Sequence, residues 1–274
     1  MTSEDSGGEP ASGEGTTPHP VAGSTAAELR PDAYGEAFAE VYDRWYDGVT
    51  DAEATADFVA ARTVAPTVLE LGSGTGRLAR PLVTRGLDVV GLDASAALLG
   101  RCHDRGLPAR LRLVQADMAA LPFALDGGFG AALLAFNTLF NLPSAEAQAT
   151  ALGQVAAVLA PGGVLIIEAL DLSTLTADAG RAAGLRGVVD GVVTVIGTGV
   201  DPTRQVIRGQ HTEIGDDGIV VRPWRLCWAT PDQIDTFADT AGLTLRERVA
   251  DWRGTPHRPD DDRHISVYGR PPIG

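Results

Sequence analysis

The chain contains no lysine, so its 22 basic residues are all arginine. That absence excludes Schiff-base chemistry and any lysine acting as general base. Abundant Ala, Gly, Val and Arg assign the missing lysine to the codon bias of a GC-rich genome. Cysteine is almost as scarce. Cys102 and Cys227 are the only two, with no C-x-x-C pair, which excludes a disulfide framework and a thiolate metal site. A reduced, cytoplasmic setting is the simplest reading. Positive charge is also short: the formal net charge is −14, whereas a nucleic-acid substrate usually calls for a basic face. No apolar run is long enough to cross a bilayer, and Glu4 and Asp5 open a segment without the apolar core of a signal peptide. What remains is a chain of 274 residues, 44% hydrophobic, which suffices for one large core and a small cap.

The most informative segment is Val68-Leu69-Glu70-Leu71-Gly72-Ser73-Gly74-Thr75-Gly76-Arg77, a short buried strand running into a glycine-rich turn and a helix. A second apolar run, Leu87 to Leu92, ends at Asp93. A strand, a glycine turn and an acidic residue about 20 positions on is the plan of a nucleoside-binding α/β unit. The glycines let the main chain approach a ligand, and the second carboxylate can take both ribose hydroxyls. The spacing is E-x-G-x-G-x-G, and Arg77 stands where a dinucleotide fold would have its third glycine. A carboxylate at Glu70 suits a cationic sulfonium or ammonium and not a pyrophosphate.

Further segments follow in order: Val114-Gln115-Ala116-Asp117-Met118 with Leu121-Pro122-Phe123, then Phe129 to Asn137, then Leu159-Ala160-Pro161-Gly162-Gly163 running into Val164 to Glu168. Together with the loop, these resemble the class I S-adenosylmethionine-dependent methyltransferases over residues 34–270, most strongly between 66 and 170. The chain resembles small-molecule members such as the glycine and amino-sugar N-methyltransferases, which carry comparable insertions after the fifth strand. The resemblance implies an α/β fold: a Rossmann-like seven-stranded sheet with an antiparallel β cap inserted after the fifth strand.

Composition and pattern divide the chain accordingly. Residues 1–28 bury almost nothing and are expected to be disordered. Residues 31–170 hold an N-terminal helix, which the resemblance implies is a lid over the cofactor and which could instead simply pack its aromatic stripe on the core, followed by the cofactor-binding core. In that helix, Tyr34, Phe38, Tyr42 and Trp45 recur at helical spacing beside Tyr46. Strands are expected near 67–71, 87–92, 110–115, 129–135 and 163–168, and continuous apolar runs such as Ala131 to Ala135 imply a parallel sheet covered on both faces. Residues 171–229 form the cap, with a helical piece at 173–183 and three strands at 187–197, 204–213 and 218–228. Residues 230–274 begin with the capping box Thr230-Pro231-Asp232-Gln233 and return two strands to the sheet.

For the cofactor, S-adenosyl-L-methionine, the resemblance implies that Glu70, Gly72, Ser73 and Gly74 line the amino-acid end. Asp93 takes the ribose with Ala94 beside the adenine, Asp117 and Met118 clasp the adenine, Ala135 and Phe136 flank the methionine end, and Tyr46 belongs to the lid. No metal is expected. On the acceptor side, Asn137 and Asn141 follow the fourth strand at the open end of the sheet. Some amino-sugar N-methyltransferases have a histidine where Asn141 stands, which weighs against a histidine-assisted mechanism at that position. Of the five histidines, His211 is the best general-base candidate, because it lies in the cap and imidazole titrates near neutral pH. Trp224, Cys227 and Trp228 with Arg222 and Arg225 form a second candidate wall. The function expected is methyl transfer to an oxygen or nitrogen of a small molecule, in secondary metabolism, with neither nucleic acid nor membrane as partner and with oligomeric state open. The rivals are a non-methyl reaction of the same cofactor (aminocarboxypropyl transfer or cyclisation) and a non-catalytic cofactor-binding partner. Product analysis with methyl-labelled cofactor separates them.

Overall fold

A computed structural model describes residues 30–46, 48–49, 51–123, 128–173 and 181–272; the N-terminal tail lies outside them. Strands β1 (Thr67–Leu71), β2 (Asp88–Asp93), β3 (Leu111–Gln115), β4 (Phe129–Leu134) and β5 (Leu159–Leu170) are parallel. Two later strands, β10 (Thr244–Val249) and β11 (Arg263–Gly269), form an antiparallel hairpin that joins the sheet beside β5. The order is β10-β11-β5-β4-β1-β2-β3. Successive residues alternate between two cores: Leu69, Leu134 and Ile167 face one side, Val68, Leu133 and Ile166 the other. That alternation explains why these strands read as continuous apolar runs, since both faces are covered.

Helices α3 (Ala52–Ala60), α4 (Ala79–Thr84) and α5 (Ala96–Asp104) contribute to one core, and α6 (Ala145–Val158) and α7 (Pro231–Thr240) to the other. Their starts are written locally. Ser144 accepts from the Ala147 N–H at 3.3 Å. Thr230 and Gln233 close a reciprocal capping box behind Pro231, satisfying donors that a helix start leaves open. β5 begins earlier than expected, at Leu159. It passes through Pro161-Gly162-Gly163 as an irregularity opposite Phe129 to Ala131, with Gly162 at φ +76°.

The inserted sheet differs from expectation in strand number. It has four antiparallel strands, β6 (Arg181–Val189), β7 (Val192–Asp201), β8 (Val206–Gly215) and β9 (Gly218–Cys227). The run expected as one strand at 187–197 folds back on itself at Asp190-Gly191, both left-handed at φ +50° and +78°. Asp-Gly suits a two-residue hairpin turn whose central residues both need positive φ. Residues 181–183, expected at the end of a helical piece, belong to β6, while 174–180 lie outside the described residues.

The aromatic stripe at the N-terminus is two short helices, α1 (Ala33–Phe38) and α2 (Tyr42–Tyr46). Gly35 permits this packing, because a Cβ there would come within 2.3 Å of Ser95 Cβ at the start of α5.

Candidate active site

The parallel strands change direction of succession between β1 and β4, and the carboxyl ends of strands at such a switch point form a crevice. Here it is a cavity of about 490 Å³ lined by the core loops, by α1 and α2, and by one face of the inserted sheet. The cofactor-binding and catalytic candidates expected from the sequence all line it: Tyr46, Glu70, Gly72, Ser73, Gly74, Asp93, Ala94, Asp117, Met118, Ala135, Phe136, Asn137, Asn141 and His211.

The glycine loop is held under Asp93. Asp93 Oδ2 accepts from the Gly74 N–H and Oδ1 from the Ser95 N–H, both at 2.9 Å. Each oxygen retains acceptor capacity for a ligand. Gly74 has φ +55°, and a Cβ there would meet only Asp93, Leu98 and Tyr42 atoms at 3.9–4.0 Å, so a side chain would stand in the cavity. Glu70 is 3% exposed and accepts from Ser73 Oγ at 2.9 Å. Burial pushes its carboxyl up to about 8, opposed by the Ser73 hydrogen bond and the charge of Arg77. Beyond β3, Asp117 Oδ1 accepts from the Ala119 N–H at 2.8 Å.

At the end of β4, Phe136 and Asn137 are both left-handed, at φ +53° and +60°. Two consecutive non-glycine residues in that region are costly and need fixing from outside. Buried Glu168 supplies one restraint, its Oε2 accepting from the Phe136 N–H at 2.8 Å while its Oε1 faces Arg263 at 3.3 Å. Asn137 supplies another, its Oδ1 accepting from the Leu170 N–H at 2.7 Å. Asn141 Nδ2 donates to the Thr138 carbonyl at 3.3 Å, and its Oδ1 is buried without a partner among the described residues.

The cap end of the cavity is aromatic. His211 on β8 is 5% exposed, its ring centroid 5.3 Å from Phe38, 4.8 Å from Trp45 and 6.3 Å from Trp224. Its Nε2 lies 3.4 Å from Arg186, and its Nδ1 has no partner among the described residues. Burial first, then Arg186 and Arg222, lower its pKa to about 4, so the ring is neutral at physiological pH. The wall proposed from the sequence divides differently. Trp224 lines the cavity, but Trp228 and Cys227 are buried, Trp228 within the core. Arg222 is ion-paired with Glu213, and Arg225 donates to the Pro143 carbonyl. The inserted sheet's arginine that does reach the cavity is Arg186, from β6.

Adjacent residues of α2 tie the core to the inserted sheet. Asp43 accepts from Thr75 Oγ1 at 2.7 Å, and Arg44 pairs with Glu213 at 2.5 Å. Sequence reasoning missed Arg77, Glu168 and Arg186. An acid inside the apolar run of β5 was a visible signal for Glu168; Arg186 had none.

Fold and cavity define an α/β protein with a cleft at the carboxyl ends of its parallel strands, bordered by an inserted antiparallel sheet. Comparison with known proteins makes the class specific. A family model described as a methyltransferase domain matches residues 68–163. The CcbJ methyltransferase from Streptomyces caelestis is 31% identical, covering 89% of this chain and 100% of that one, with a TM-score of 0.82. The cypemycin N-terminal methyltransferase of a Streptomyces species is 27% identical over 231 residues, 83% of this chain and 93% of its own length. S-adenosylmethionine-bound CalS10, an amino pentose methyltransferase from Micromonospora echinaspora, is 26% identical, covering 82% and 91%, with a TM-score of 0.64. The chain belongs to the class I S-adenosylmethionine-dependent methyltransferases. It is an enzyme, and S-adenosylmethionine is its cofactor.

Proposed function

We propose that the cavity holds S-adenosylmethionine along its core wall and a small amine-bearing molecule beneath the cap, with the methyl group passing to nitrogen. Its volume lies within the roughly 300–1,000 Å³ of ligand sites, and the residues fit the cofactor part by part. Asp93 has acceptor capacity for the ribose, with Ala94 beside the adenine. Asp117 and Met118, following β3, would clasp the adenine. Gly72, Ser73 and Gly74 give the amino-acid end a backbone surface, and buried Glu70 offers a counter-charge for a cation. Ala135 and Phe136 flank the methionine end, which Tyr46 covers from the lid.

When bound, the cofactor supplies an electrophilic methyl group on a sulfonium. The chain's residues have only to align the acceptor with it and exclude water, and such alignment can contribute roughly 7–11 kcal/mol. Asn137 and Asn141 stand where an acceptor group would be oriented. The observation favouring nitrogen over oxygen is the environment of His211. Boxed by three aromatic rings beside two arginines, its imidazole is a poor base for a hydroxyl, because a base works best with a pKa near the operating pH. A neutral amine carries its own lone pair and needs no base. His211 then orients the acceptor as part of the aromatic wall. CalS10 and the cypemycin enzyme are named for an amino pentose and for the N-terminus of cypemycin, which supports an amine acceptor in secondary metabolism. The two buried, unpaired cysteines support a cytoplasmic setting. No helix among the described residues is long and apolar enough to cross a membrane.

The test is a matched pair of acceptors, amine and hydroxyl on one scaffold, incubated with methyl-labelled cofactor and analysed by mass spectrometry. Label in the amine product supports the proposal. Label confined to the hydroxyl compound overturns it.

A further inference from the structure

Arg77 follows the glycine loop and lines the cavity. Its Nε and Nη1 are buried and without a hydrogen-bond partner among the described residues. A guanidinium cannot shed its proton, so unmatched donors in a buried setting are costly unless an anion completes them. Its surroundings are fixed. Tyr42 stands beside it, the guanidinium opposing the rise that burial gives the Tyr42 phenol, and Arg77 Cζ sits 5.3 Å from the Phe136 ring centroid. Tyr46 closes the group, 4.9 Å from the Tyr42 ring and 5.6 Å from that of Phe136.

The sheet order places this group along the cavity. Phe136 follows β4, on one side of β1, while Asp93 and Asp117 follow β2 and β3 on the other. With the nucleoside over β2 and β3, as under the proposed function, the amino-acid head falls on the glycine loop beside β4. We propose that Arg77 anchors the methionyl carboxylate of the cofactor, with the Tyr42 hydroxyl alongside and Glu70 facing the ammonium of the same head. This assignment rests on that orientation of the cofactor. It matches a dipolar head group to one fixed cation and one carboxyl, and a charge-assisted hydrogen bond between guanidinium and carboxylate is among the strongest a site can offer.

Calorimetry with two ligands tests it. S-adenosylhomocysteine carries the amino-acid head; 5′-methylthioadenosine has the same nucleoside thioether without it. For Arg77→Met, the Kd for S-adenosylhomocysteine should rise at least about tenfold, the loss of one such bond, while that for methylthioadenosine stays within about twofold. Arg77→Lys, which keeps the charge and loses the fork, should fall between. An unchanged Kd for S-adenosylhomocysteine overturns the proposal. A parallel loss for both ligands overturns it too, since Arg77 would then only support the loop or Phe136. Methylthioadenosine binding is itself the check that the variant is folded. Failure of the unmodified protein to bind either ligand would instead overturn the cofactor orientation on which the proposal stands.

Discussion

Cofactor binding should expel a proton from Glu70. Burial holds this carboxyl at about 8, so at pH 6.5 it is almost fully protonated. A cation placed beside it favours the carboxylate, returning it towards the ordinary glutamate value of about 4.3. Binding at pH 6.5 should therefore release about one proton per cofactor. The cofactor's own α-amino group, with an ordinary value of about 7.7–8.0, stays protonated there and adds little. Affinity should rise with pH by about thirtyfold between 5.5 and 7, because binding to the ionised form is then progressively less opposed by the proton. Calorimetry of S-adenosylhomocysteine in buffers of different ionisation enthalpy counts the protons. Glu70→Gln, which keeps an acceptor for Ser73, should remove both the release and the pH slope. A variant that retains them would refute the reasoning and move the titration to another group, Asp93 being the alternative whose burial also raises its pKa. The same shift has a stability consequence. A carboxyl raised on folding contributes fully below its unfolded value near 4.5 and progressively less as pH rises through about 8. The ligand-free protein should thus lose stability across that window, by up to about 5 kcal/mol for this group, read as a falling Tm that Glu70→Gln flattens.

Two further outcomes concern the cavity walls. Glu168→Ala removes the acceptor for the Phe136 N–H and the partner of Arg263. Steady-state kinetics should show kcat falling about tenfold, the value of one charged hydrogen bond, with Glu168→Gln recovering much of it. A loss confined to thermal stability would make Glu168 purely structural. His211→Ala should raise the KM for the acceptor while leaving kcat within about tenfold and the pH–rate profile unchanged above pH 6. A fall of roughly 10²–10⁴ in kcat with loss of an acidic limb would restore the imidazole as the general base.

The parts legible from sequence were those decided within a few residues. Strand, glycine turn and helix from Val68 to Arg77 follow from consecutive apolar residues and from glycines that tolerate φ of +55° to +79°. Ser144 and Thr230 announce their helices by contacts three residues away. Even the misread cap strand carried its signal in Asp190-Gly191, hidden because valines continue on both sides of the turn.

Chemistry was another matter. Glu168 gains meaning only because β4 lies beside β5 and brings the Phe136 N–H to its carboxylate. Arg44 finds Glu213 across 169 positions of sequence. His211 looks like a neutral-pH base as a letter in the chain, and becomes a weak one only when Phe38, Trp45, Trp224 and two arginines close around it. Backbone preference and hydrophobic pattern are local, so the sequence determined the sheet, the loop and the cofactor class. Burial and electrostatic environment are sums over neighbours remote in the chain, so only the tertiary structure decided the protonation of Glu70 and His211 and left Arg77 with two buried, unmatched nitrogens.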